Sequence, residues 1–72
     1  IVFNPGGYAH RSVAIRDAVA SVSAKVIEVH ITNIHAREEF RRTTIVGGAC
    51  EAVISGFGIR GYELAVDHLL QL

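Results

Sequence analysis

The sequence predicts an α/β domain, a parallel sheet with helices on its faces. Three observations predict it. Short apolar, β-branched runs alternate with stretches of helical period. Each apolar run stops at glycine, proline or asparagine, the residues that break strands. The resulting order is strand, helix, strand, short helix, strand, helix, and such alternation implies parallel strands joined by right-handed crossovers.

Residues 1–3, Ile1-Val2-Phe3, form a short apolar run ended by Asn4-Pro5-Gly6-Gly7, so they read as a strand followed by a loop. Ile15, Ala18, Val19 and Val22 then recur at i, i+3, i+4 and i+7, the stripe of an amphipathic helix. Ser12 stands just before that stripe as its N-cap, and Ser21-Val22-Ser23 lets the helix fray. Residues 25–32 carry Val26, Ile27, Val29 and Ile31 and are nearly continuous, as a strand buried on both faces should be. Residues 33–42 are polar and charged and suit an exposed loop with a short helix. Residues 43–48 read as an irregular connector. Ala52-Val53-Ile54-Ser55 is the third strand, stopped by Gly56. Tyr62, Ala65, Val66, Leu69 and Leu70 repeat the helical stripe to the end of the chain.

Seventy-two residues allow one small domain, and a chain of that size buries a modest share of its surface. Yet 50% of the residues are hydrophobic. The expectation is either a partial domain, 1–72, that belongs to something larger, or a chain covered in an assembly. A start inside a strand, without Met, adds the expectation of sequence upstream. Lys and Arg balance Asp and Glu at seven each, so no charged field points to nucleic acid. No apolar run is long enough for a membrane helix. Cys50 is the only cysteine, which excludes an intramolecular disulfide framework and a cysteine zinc site. A lone thiol in an apolar stretch fits a reducing compartment, hence a cytoplasmic location. No internal repeat or low-complexity tract is present.

In open parallel sheets, ligands bind at the carboxyl ends of strands. That rule selects residues 4–10 and 28–33, which together offer an amide, two imidazoles, a carboxylate and a hydroxyl. The mixture suits a small, polyhydroxylated, anionic molecule. His30 lies in an apolar strand with Glu28 two positions before it, and residues i and i+2 share a face. A carboxylate-supported imidazole is a natural general acid or base near neutral pH. The alternative is a strand histidine whose ring is merely satisfied by a neighbour. His10 is either a ligand for a hydroxyl or a surface loop residue. Asn4 either orients a ligand or starts the turn before Pro5. Arg41 and Arg42 either clamp oxygen atoms or belong to a solvated face. Glu28, His30 and His35 lack a recognisable metal spacing, so no metal is expected.

Gly56-Phe57-Gly58-Ile59-Arg60-Gly61 spells G-x-G-x-x-G between a strand and a helix, the local setting of a dinucleotide fingerprint. The fingerprint also needs a further strand and an acidic residue about twenty positions on, and neither follows. The other reading is a tight turn with close helix–sheet packing.

The combination of segments is more specific than any one of them. Asn4-Pro5-Gly6-Gly7-Tyr8-Ala9-His10-Arg11-Ser12-Val13-Ala14, Ile15-Arg16-Asp17, the run from Glu28-Val29-His30-Ile31-Thr32-Asn33 to Phe40-Arg41, and Ile54-Ser55-Gly56-Phe57-Gly58 with Gly61-Tyr62 together resemble the C-terminal half of type II dehydroquinases. The resemblance implies a flavodoxin-like fold and dehydration of 3-dehydroquinate to 3-dehydroshikimate without metal or cofactor. By matching position, it implies that His30 is the proton donor to the departing hydroxyl and that Glu28 orients it. Ile31 and Thr32 match the segment that holds the substrate carboxylate. Asn4, His10 and Arg41 match substrate-binding positions, and Asp17 an acidic residue that reaches a neighbouring subunit's site. The resemblance further implies a homo-oligomer of trimers, commonly a dodecamer, and a tyrosine base with a lid arginine in an N-terminal half. Tyr8 and Tyr62 do not match that tyrosine. Arg11 stands where a hydroxyl residue is usual, and residues 43–50 depart from the usual Ser-Pro pattern. An inactive fragment, an assembly module and a dinucleotide module stand as the other readings.

Overall fold

β-Branched residues at the centre of the chain set the architecture. In the computed structural model, which describes residues 1–72, β2 (Ile27–His30) is the middle strand, with β1 (Val2–Phe3) on one side and β3 (Ala52–Ser55) on the other. Both pairings are parallel. Val2 and Phe3 lie beside Ile27 and Glu28, and Ile27 through His30 lie beside Ala52 through Ser55. All four residues of β2 are buried, as the continuous apolar reading required. β2 is shorter than residues 25–32 because its pairing partners run out. Beyond His30 the chain turns away, held by Gly56 N–H to the His30 carbonyl at 3.2 Å and Gly58 N–H to the Ile31 carbonyl at 2.9 Å.

Alternation along β2 divides its neighbours between two sides of the sheet. Ile27 and Val29 face α2 (Arg60–Leu70) and form the core with Ala65, flanked by Val2, Ala52, Ile54, Tyr62 and Leu69. α2 lies close because Gly61 has no side chain. A Cβ there would come within 2.9 Å of Val29 Cγ1. The glycine-rich segment is therefore a packing device: Gly56 turns the chain at φ +95° and Gly61 admits the helix. Close packing is the reading of the G-x-G-x-x-G string that these contacts account for.

On the opposite side lies α1 (Val13–Ser21). Ser12 caps it as expected, its hydroxyl accepting from Ile15 N–H at 3.2 Å. No residue of α1 is buried. Its apolar stripe instead borders an open groove of about 240 Å³ lined wholly by hydrophobic side chains, Ile1, Phe3 and Val26 among them. The loop after β1 folds into a 3-10 turn over Gly6–His10, and further 3-10 turns occupy Ile34–Ala36, Glu39–Arg41 and Gly47–Ala49. Only 12 of the 72 residues are buried, so half of the composition being apolar leaves much hydrophobic surface uncovered. No helix is long and apolar enough to cross a membrane.

Candidate functional site

Parallel strands bring their carboxyl ends to one edge, and the chain places its polar residues there. A cleft of about 160 Å³ opens at the ends of β1 and β2. Asn4, Gly6, Gly7 and His10 from the first loop line one wall, and His30, Ile31, Thr32 and Ile34 the other. Arg37 and Arg41 complete the rim. Six of the eight residues to which the resemblance gives a role thus meet in one cleft, Asn4, His10, His30, Ile31, Thr32 and Arg41, while Arg42 does not line it. Glu28 sits behind them, fully buried. Asp17 is exposed on α1 and does not line the cleft.

Glu28 and His30 form the tightest polar contact of the site. His30 Nε2 lies 2.6 Å from Glu28 Oε2, closer than the roughly 2.7–2.9 Å usual for a charge-assisted N–H···O bond. A carboxylate accepts, so Nε2 donates, and Nδ1 is the ring nitrogen left for a ligand. His10 is oriented from behind as well. Its Nδ1 lies 2.8 Å from the Thr43 carbonyl. That oxygen can only accept, so Nδ1 carries the proton and Nε2 is the free position. The two imidazoles stack with centroids 6.4 Å apart and planes 20° from parallel. Phe40 meets the His10 ring edge-on at 6.0 Å, so an aromatic contact also holds that imidazole.

Asn4 both starts the turn and faces the cleft, its Oδ1 accepting from Gly6 N–H at 2.9 Å. The segment after His30 is pinned by Ser55, whose hydroxyl donates to the Thr32 carbonyl at 3.2 Å and accepts from Ile34 N–H at 3.1 Å. Arg37 Nη1 donates to Thr32 Oγ1 at 3.2 Å. Arg41 donates to Glu38 and stacks over Phe40, with Cζ 4.7 Å from the ring centroid. The Arg41 bond holds the exposed Glu38 carboxyl below its ordinary range. Two guanidinium groups over a cleft that also holds a hydroxyl and an amide favour an anionic, hydroxylated ligand. No three His, Cys, Asp or Glu side chains come together as a metal-holding group.

Sequence reasoning did not single out Arg37, Ser55 or Thr44. Arg37 had a faint signal, a cation five residues after a strand-end threonine. The two hydroxyl residues act through contacts distant in sequence and had none.

The family model described as "Dehydroquinase class II" matches residues 1–70. The chain belongs to that family. A 3-dehydroquinate dehydratase of Bacillus pumilus is 50% identical over 70 residues, covering 97% of this chain and 48% of that protein. A 3-dehydroquinate dehydratase of Bacillus cytotoxicus is 54% identical over 71 residues, covering 99% and 49%. The crystal structure of the type II dehydroquinase from Butyrivibrio crossotus superposes with a TM-score of 0.95 at 54% identity, covering 97% of this chain and 49% of that one. The type II dehydroquinase from Propionibacterium acnes gives 0.94 at 45% identity, covering 99% and 52%. The fold is therefore the flavodoxin-like α/β arrangement of type II dehydroquinases, and the chain spans about half the length of the curated relatives it matches.

Proposed function

We propose that this chain supplies the acid-bearing half of a 3-dehydroquinate dehydratase, a lyase that forms 3-dehydroshikimate. One observation carries the reading: an imidazole at the end of the central strand, 2.6 Å from a buried carboxylate and lining a small polar cleft. Dehydration removes a proton α to a ketone and expels hydroxide from C1. Expulsion of hydroxide needs a positioned acid. His30 donates that proton, and Glu28 fixes the ring and matches the charge of its imidazolium. Ile31 and Thr32 hold the substrate carboxylate, and Asn4, His10 and Arg41 hold the ring hydroxyls. Support comes from the position of all five around the same cleft.

The base and its lid arginine belong to an N-terminal half. Asp17 acts at a neighbouring subunit's site, which its exposure outside this cleft permits. The uncovered apolar surface supports an assembly in which further strands and neighbouring subunits, trimers grouped as a dodecamer, take up that area. The compartment is the cytoplasm, where Cys50 remains a thiol.

The test joins the chain to an N-terminal half of the family and follows the enone absorbance of the product. Turnover is expected, and His30→Ala lowers kcat by roughly 10²–10⁴. A loss below about twofold rejects the acid role, since positioned proton transfer is worth far more. Stabilisation of the fold by a dinucleotide but not by dehydroquinate rejects the dehydratase reading as a whole.

A further inference from the structure

We infer that Thr44 is a positioning residue for proton transfer at His30, acting through Glu28. The inference rests on the dehydratase reading above. Glu28 is fully buried, so each of its carboxylate oxygens needs a partner within the protein. Oε2 takes His30 Nε2. Oε1 faces the Thr44 hydroxyl at 3.1 Å.

That hydroxyl has two acceptors within reach. The Ala9 carbonyl also lies 3.1 Å away, and a hydroxyl has one proton to give. The Ala9 carbonyl already accepts the backbone N–H groups of Ile45 at 2.9 Å and Val46 at 3.3 Å, which occupy its two lone pairs. The Thr44 proton therefore goes to Glu28. Gly47 N–H in turn donates to Thr44 Oγ1 at 3.0 Å, so the oxygen is held from its acceptor side too. The chain of contacts runs from the Gly47 amide through Thr44 and Glu28 to the ring of His30.

Anchoring one carboxylate oxygen stops the group from rotating, and the other oxygen stays on the imidazole. Without the hydroxyl, Oε1 becomes a buried anionic oxygen with no donor, which is strongly unfavourable. The carboxylate then turns or takes up a proton, and either change releases the ring. Thr44 does not line the cleft, so its loss leaves ligand contacts in place. The effect falls on kcat and not on KM.

The test uses the protein joined to its N-terminal half, with Thr44→Val, which keeps the shape, and Thr44→Ser, which keeps the hydroxyl. Thr44→Val lowers kcat by about 10–100-fold with KM within about twofold, the factor expected for one unsatisfied buried charge. Thr44→Ser restores kcat to within about threefold, and on a His30→Ala background Thr44→Val adds no further loss. Equal impairment by Val and Ser, an undiminished loss on the His30→Ala background, or an unchanged kcat overturns the inference. Should Thr44→Val fail to fold, Thr44→Ala and Thr44→Ser decide by the same split. A second readout needs no turnover. In the joined protein, the His30 ring N–H exchanges about tenfold faster in Thr44→Val than in the parent or Thr44→Ser, because the bond that protects it is loosened. Equal exchange in all three overturns the positioning role. Faster exchange with an inactive parent leaves the anchor standing and sinks the dehydratase reading instead.

Discussion

The two helices carry similar apolar stripes and meet different fates. α2 buries Gly61 and Ala65 against β2 and completes the core with Ile27 and Val29. α1 has no fully buried residue, and its stripe borders an open hydrophobic groove. The difference teaches that hydrophobic periodicity identifies a face that seeks cover, not the cover itself. On the α2 side the chain supplies both surfaces. On the α1 side helix and sheet leave a groove open between them.

Substitutions on the two helices sharpen or break this contrast. The largest effect is expected at Gly61. A leucine there must displace Val29 and Ile54, whose methyl groups would lie 2.9 and 3.5 Å from its Cβ, and about 3 kcal/mol of stability is lost in urea unfolding. Ala65→Leu, which adds volume at a fully buried position, costs about 1–3 kcal/mol by the same measurement. Ala18→Leu on α1, beside the open groove, stays within about 0.5 kcal/mol of the parent. Equal losses at Ala65 and Ala18 would mean that α1 is packed as tightly as α2.

Two titrating groups extend the contrast between covered and uncovered regions. Burial, then the charge of Glu28, raises the Cys50 thiol above its ordinary value. A folded value above the unfolded one means stability that is complete below the ordinary thiol range and is lost as pH rises through the folded value. Unfolding measured from neutral to alkaline pH should show that loss, and Cys50→Ala should flatten it. Glu38 shifts the other way, lowered chiefly by its bond to Arg41. Its contribution is present above the ordinary carboxylate range and is lost as pH falls through the folded value. Being fully exposed, it gives the smallest effect. An NMR titration of the Glu38 carboxyl should move back toward its ordinary value in Arg41→Ala, and an unmoved midpoint would refute the pairing.

Local signals in the sequence reached local structure. Ser12 as a cap and the turn at Asn4 depend on neighbours a few residues away, and each formed as expected. The cleft was legible for a topological reason, because strand ends of a parallel sheet gather whatever follows them. The limits of β2 were not legible, since they are set by where β1 and β3 stop. Thr44 and Ser55 escaped notice because a hydroxyl shows its purpose only through its partner. Thr44 meets Glu28 across 16 residues of chain, and Ser55 meets Ile34 across 21.

Glu28 and His30 alternate along β2 with Ile27 and Val29. A slip of one residue in the pairing of this strand would exchange the two sets. The carboxylate would then enter the largely apolar layer occupied by Ala65, Tyr62 and Leu69, away from the Thr44 hydroxyl and the His30 ring that it meets in the native register. The buried carboxylate of Glu28 thus disfavours the slipped register, because only the native one brings it to its partners.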